Sequence, residues 1–200
     1  LEPRTYSQNV EVRPGLSNYI KKGIENASLC LEYTSADYAI GQFAKQALGN
    51  DKDAAFFINR ASNWKNLYDP STRWLRSRNN NDMSWKKPDD DWREATKENY
   101  FWMVPYDLET LIDTIGGKAA AEKRLDSLFV RIDAGYDDHF FAAGNEPDFQ
   151  VPWIYNYVDR PYKTSAIISR ILREAYDSSP SGLPGNDDCG AMGSWYIYAS

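Results

Sequence analysis

The residues able to do chemistry fall in three short stretches: Trp92-Arg93-Glu94, Gly144-Asn145-Glu146-Pro147, and Gly185-Asn186-Asp187-Asp188-Cys189-Gly190. Each sets carboxylates or amides beside residues that make turns or begin helices. Two carboxylates can divide acid–base work, one protonating a leaving oxygen while the other activates water, and this is the division of labour in glycoside hydrolysis. Asn145 and Glu146 add hard oxygen donors of the kind Ca²⁺ takes. Other chemistries lack their residues. His139 is the one histidine, in an Asp-Asp-His-Phe context, so no Ser/His/Asp set forms. No Cys/His pair and no glycine-rich phosphate loop are present. Taken alone, Asp187 or Asp188 reads first as a cap for the last helix, because short acidic side chains satisfy unpaired helix N–H groups.

Composition narrows the partner. The net charge is -6 over 200 residues, which argues against nucleic acid, since nucleic-acid binders show a basic face. The sequence holds no apolar run of about 18 residues, so no membrane span is expected. Seven Trp and fourteen Tyr suit sugar rings, whose C–H faces stack on aromatics while their hydroxyls take polar partners; most of these aromatics nevertheless belong in a core. Cys30 and Cys189 show no metal-ligand spacing, and their pairing is left open. Asn26-Ala27-Ser28 fits an N-glycosylation acceptor.

The elements that must position these residues are helical. Residues 1–18 read as a loop. Ser28 reads as the cap of a helix to about Leu48, with Ala36, Ile40, Phe43, Ala44 and Ala47 as its apolar stripe. Asp51 starts a second helix to about Tyr68, with Phe57, Ala61, Trp64 and Tyr68 on one face, and Asp69-Pro70 ends it. Residues 70–99 form a long polar connection holding Trp74, Trp85 and Trp92, which suggests a lid with short strands near residues 74–78. Pro105 opens a helix on Leu108, Leu111, Ile112 and Ile115; the next, residues 118–130, uses Ala121, Leu125, Leu128 and Phe129. A short helix follows Pro152, a longer one covers residues 164–177, and the last begins near Asp187. The expected class is all-α, with helical hairpins arranged as in a toroid and the long loops gathered on one face.

Several ordered motifs carry a resemblance. Ser28-Leu29-Cys30-Leu31-Glu32-Tyr33 is similar to S-x-T-L-E-Y of the glycoside hydrolase family 92 α-mannosidases. Glu94 with Tyr100, Trp102, Val104, Pro105 and Asp107 has the spacing of that family's E-G-N-x-W-Q-Y-x-W-x-V-P-H-D. Gly144-Asn145-Glu146-Pro147, continuing to Pro152 and Tyr155-Asn156-Tyr157, resembles G-N-E-P…P-x-x-Y-N-Y. Gly185-Asn186-Asp187-Asp188 with Gly190, Met192, Trp195 and Tyr196 resembles G-N-[DE]-D-x-G-x-M-S-x-W-Y.

The resemblance implies an (α/α)6 barrel and Ca²⁺-dependent hydrolysis of α-mannosidic linkages with inversion. By position, Glu94 would be the general acid and Asp188 the water-activating base, with Asp187 as the alternative. Asn145, Glu146 and Asp188 would hold Ca²⁺. Glu32, Trp102 and Trp195 are weaker candidates for sugar contacts, with core packing at least as strong a reading for each. Inversion implies roughly 6.5–9.5 Å between acid and base. A mannose-containing glycan and a periplasmic or secreted location follow from the same likeness. The chain departs from the pattern at Ala95-Thr96, Glu98-Asn99, Tyr106 and Asp148-Phe149-Gln150, where leaving-group contacts and linkage specificity are set. About seven helices against the barrel's twelve make residues 1–200 an expected part of a catalytic domain, an incomplete barrel partnered by the rest of its own chain. Two alternatives stand beside this reading: another (α/α)6 glycosidase with a different sugar, and a non-catalytic carbohydrate-binding helical domain.

Overall fold

The computed structural model describes residues 13–135 and 137–200, and the chain divides into two compact units, one up to Trp92 and one from Arg93. Helix dominates both, in keeping with the all-α expectation. Residues 1–12 of the expected N-terminal loop lie outside the described residues.

In the first unit, α1 (Leu16–Lys22) replaces loop where the sequence offered little periodicity. It is bounded by Gly15 and Gly23, both left-handed, and Gly23 N–H bonds back to Tyr19 O. The long helix α2 (Ala27–Gln46) begins one residue before the expected Ser28, and its cap is Asn26, whose Oδ1 accepts from Leu29 N–H at 2.9 Å. The buried face of α2 also differs from the expected stripe. Cys30, Leu31, Thr34, Asp37, Gly41 and Ala44 point inward, while Phe43 is 60% exposed. The reason lies in α3 (Asp51–Ala61), which packs along α2 so tightly that a Cβ on Gly41 would lie 2.7 Å from Ile58 Cγ1. A polar pair is buried at the same seam: Asp37 is gripped by Arg60 through Nε and Nη2, each at 2.6 Å, and by the Tyr19 hydroxyl at 2.7 Å.

The second expected helix changes character at Ser62, continuing as a 3-10 turn over Ser62–Leu67 that buries Trp64 and Leu67. Two short strands follow, β1 (Tyr68–Asp69) and β2 (Trp74–Leu75), antiparallel in the register Tyr68↔Leu75 and Asp69↔Trp74. Asp69 ties this hairpin by accepting from Ser71 and Arg76. The polar stretch beyond is pinned locally: Arg78 bridges to Trp85 and lies 3.4 Å over its ring, and Trp92 Nε1 donates to Pro88 O.

In the second unit a one-turn helix, α4 (Lys97–Tyr100), precedes α5 (Leu108–Thr114) and α6 (Lys118–Leu128). The apolar stripes expected for the last two are buried, from Leu108, Leu111, Ile112 and Ile115 to Ala121, Leu125, Leu128 and Phe129. The segment after Pro152 is a 3-10 helix, Val151–Val158, with Ile154 and Tyr155 in the core. Helix α7 spans Pro161–Glu174, opened by a proline at its first position, and α8 spans Ala191–Ala199. Helix α8 starts four residues later than expected, because Asp188, Cys189 and Gly190 are consecutively left-handed (φ 41°, 62° and 89°) and delay the helical turn. Both cysteines are free thiols, Cys30 buried and Cys189 exposed.

Candidate active site

The second unit holds Glu94 of the first sequence-expected stretch and the whole of the other two, and brings them together. The first contact is made by glycine. A Cβ on Gly144 would lie 2.5 Å from Pro184 O, and one on Gly185 would lie 2.7 Å from Gly144 O. Only glycine permits two backbones this close. The Asn145-Glu146 and Asn186-Asp187-Asp188 segments therefore leave a common point, and no sequence spacing shows that.

Glu146 lies within hydrogen-bonding reach of Asp188 and feels the charge of Glu94. Its carboxyl is held above the ordinary carboxylate range, first by lost solvation, then by the contact with Asp188 and by the charges of Asp188 and Glu94. Glu94 is an exposed residue that is fixed at its base. Asn145 Nδ2 donates to Glu94 O at 3.0 Å, and the Tyr100 hydroxyl reaches Glu94 Oε1 at 3.4 Å. Asn145 is 3% exposed, so its amide is aimed by burial as well as by that bond.

The two aspartates of the last stretch separate in role. Asp187 Oδ1 accepts from Gly193 N–H of α8 at 2.9 Å, and Asp187 O accepts from Ala191 N–H at 2.7 Å. Asp187 thus serves the helix start, as the capping reading expected of one of the pair. Asp188 faces Glu146.

The segment from Asn145 to Gln150 is the hub. Beyond the Asn145 contact, Asp148 Oδ2 accepts from Asn99 Nδ2 and Ala142 N–H, each at 2.8 Å, and Phe149 O accepts from Trp195 Nε1 at 2.9 Å. Burial pushes the Asp148 carboxyl up to about 7, against the opposing pull of those two hydrogen bonds. The sequence marks Asn99 and Asp148 only as departures from the family pattern, and does not show that they pair. The Thr96-x-x-Asn99 spacing of a capping box is a readable signal for Asn99. Asp148 has none, because nothing in the chain announces that a loop carboxylate will be fully enclosed.

The candidate sugar contacts fall in different settings. Trp102 is fully buried against Phe101, and Trp195 is 7% exposed, stacked parallel on Tyr176 with ring centroids 5.6 Å apart. Both rings pack in the core. Glu32 is an exposed residue of α2 in the first unit.

Among the described residues no group of three or more His, Cys, Asp or Glu forms a metal cluster of its own. Asn145, Glu146 and Asp188 nevertheless fit a hard cation by donor chemistry, since carboxylates crowded against one another gain from positive charge between them. Their side chains supply at most about five of the six to eight oxygens Ca²⁺ takes, so water or sugar hydroxyls must complete the shell.

Comparison with known proteins bears on the same residues. The glycosyl hydrolase family 92 catalytic domain matches residues 6–200. An "Uncharacterized secreted glycosidase" of Arthroderma benhamiae is 27% identical over 91% of this chain and 26% of its own length. A family GH92 alpha-mannosidase of Bacteroides thetaiotaomicron, also solved in complex with mannoimidazole, is 36% identical with a TM-score of 0.77, over 86% of this chain and 24% of that one. A family GH92 inverting mannosidase of the same organism is 25% identical with a TM-score of 0.82, over 98% of this chain and 30% of that one. The chain thus spans between 24% and 30% of the length of these relatives.

Proposed function

Because the chain belongs to glycosyl hydrolase family 92, we propose that the protein hydrolyses α-mannosidic bonds of a mannose-containing glycan by an inverting, two-carboxylate mechanism. The observation that carries the proposal is the convergence of three separate stretches of sequence in one unit: Asn145 Nδ2 holds Glu94 O at 3.0 Å, and Gly144 and Gly185 seat the segments bearing Glu146 and Asp188 against each other.

Glu94 is the general acid. It is open to solvent while its backbone is tied by Asn145, so it can hand a proton to the glycosidic oxygen as the C–O bond breaks. Asp188 is the base: it takes a proton from water as that oxygen bonds to the opposite face of the anomeric carbon. Asp187 is left to hold the start of α8. Proton count balances, one given by Glu94 to the leaving alcohol and one received by Asp188 from water. Asn145, Glu146 and Asp188 would hold Ca²⁺, which when bound supplies positive charge for sugar hydroxyls and for the carboxylate cluster. Glu146, whose carboxyl is raised first by lost solvation and then by Asp188 and Glu94, is assigned to the ligand set and Asp188 to the base.

Residues 1–200 form part of a larger catalytic domain in this reading. The relatives are more than three times longer, and α8 carries Ile197 at 77% and Tyr198 at 89% exposure, an apolar surface suited to further helices. The isolated 200 residues are expected to turn over poorly. The secreted relative supports a secreted or periplasmic location.

The test uses the full-length protein with an aryl α-mannoside and follows the first-formed sugar by proton NMR. β-Mannose is expected, with loss of activity on chelation and in Glu94→Gln. α-Mannose as first product, or unchanged rates in both perturbations, would overturn the assignment. Aryl glycosides of other sugars serve as the comparison panel, and brisk turnover by the isolated 200 residues would remove the partial-domain reading.

A further inference from the structure

We propose that Asn99 and Asp148 form a buried strut that sets Glu94 against Glu146, acting as positioning residues for the general acid. The inference rests on the reading of Glu94 as that acid. Glu94 sits two residues before Thr96, the start of a capping box in which Asn99 Oδ1 accepts from Thr96 N–H at 3.2 Å and from the Thr96 hydroxyl at 2.7 Å. The Asn99 amide then spends both its hydrogens across the unit, on Phe140 O at 2.7 Å and on Asp148 Oδ2 at 2.8 Å. Both donors and both acceptor positions of the side chain are thus used. Asp148, fully buried, accepts at the same oxygen from Ala142 N–H and closes the one-turn helix that begins with Glu146.

The result is a bracket. At one end Asn145 Nδ2 holds Glu94 O; at the other Asn99 and Asp148 hold the turn that follows Glu94 against the turn that follows Glu146. Asn145, Asn99 and Asp148 are all buried, and the Asn99–Asp148 bond is shut off from water. An exposed loop acid is otherwise free to shift by an ångström, and displacement on that scale costs about 100-fold in rate. The strut removes that freedom from Glu94 without touching substrate.

The test separates positioning of an acid from general damage. Protonation of the leaving oxygen matters greatly for methyl α-mannoside and little for 2,4-dinitrophenyl α-mannoside, whose leaving group departs unaided. In the full-length protein, Glu94→Gln sets the reference asymmetry between the two substrates. Asn99→Ala and Asp148→Ala are expected to lose about 100-fold with methyl α-mannoside and only a few-fold with the dinitrophenyl substrate. Asp148→Asn keeps an oxygen to accept from Asn99 and Ala142 and is expected to restore near-native rates with both. Asn99→Asp changes little volume but sets a second carboxylate against Asp148, and should show the Asn99→Ala asymmetry should the alanine variants fail to fold. A Glu94→Gln variant without asymmetry overturns the acid assignment itself. Asymmetry in Glu94→Gln but equal or absent losses in the Asn99 variants overturns the strut alone, as does an Asp148→Asn variant as impaired as Asp148→Ala.

Discussion

Replacing Gly144 or Gly185 by alanine is the most direct perturbation of the site's geometry. The added carbon at Gly144 would lie 2.5 Å from Pro184 O, 2.9 Å from Pro184 C and 3.1 Å from the Gly185 α-carbon; that at Gly185 would lie 2.7 Å from Gly144 O and 3.0 Å from the Gly144 α-carbon. The approach to Met192 Cε at Gly185, 2.8 Å, is relieved by a rotamer change, but the backbone clashes are not. Carbon needs about 3.5 Å to a neighbouring heavy atom, so the two loops must part by roughly 1 Å. That opening lies between the segments bearing Glu146 and Asp188. Overpacking of this kind costs roughly 1–3 kcal/mol of stability. Misplacing catalytic groups by about 1 Å costs about 100-fold, close to ~2.7 kcal/mol of barrier. The assay is aryl α-mannoside turnover by the full-length protein well below its melting temperature, paired with thermal unfolding. Gly117→Ala is the control: φ 84° and ψ -174° form a backbone that is essentially glycine-only, with nothing within 4 Å of the added carbon, so the variant loses about 1–3 kcal/mol of stability through strain and keeps its turnover. Gly144→Ala and Gly185→Ala variants that are destabilised like Gly117→Ala yet keep native turnover would refute the link between this close approach and catalytic geometry.

Asp37→Ala leaves the partly buried Arg60 guanidinium without its bidentate carboxylate, and urea unfolding should show a loss of about 1–3 kcal/mol. The acid limb of stability should report on Asp69. Its burial raises the carboxyl, but bonds from Ser71 and Arg76 outweigh that and hold it at about 2. A folded pKa below the unfolded 3.8 gives stability that is full above pH 3.8 and lost as pH falls through about 2, so Asp69→Asn should flatten the acid dependence of the urea midpoint. Asn145→Ala and Glu146→Gln should raise the Ca²⁺ concentration needed for half-maximal turnover by about 10-fold or more, measured by titrating Ca²⁺ into chelated protein.

Helix existence was legible along most of the chain because it depends on local periodicity. The stripes of α5 and α6 are buried as the spacing of Leu108, Leu111, Ile112 and Ile115, and of Ala121, Leu125 and Leu128, requires. Where periodicity was shared between faces, packing decided. On α2 the close approach of α3 at Gly41 turned Asp37 inward and Phe43 outward, since a short interhelical distance rewards a small residue more than a large apolar one. The residue types of the candidate site were likewise readable: Glu94, Asn145-Glu146 and Asp187-Asp188 stand out as carboxylates and amides beside turn residues.

Their arrangement was not readable from local pattern. The roles of Asp187 and Asp188 are divided by which carboxylate meets Gly193 N–H and which meets Glu146, a distinction between adjacent identical residues that sequence alone does not draw. Trp102 and Trp195 look alike as sugar platforms until the core closes over both. Asn99 and Asp148 acquire their importance only when residues 49 apart are brought within 2.8 Å. Local sequence thus determined which segments are helices and which side chains could do acid–base chemistry, because backbone propensity and side-chain pKa are properties of a residue and its near neighbours. Proximity, burial and the crowding of like charges belong to the closed tertiary structure, and they decided which of those side chains meet.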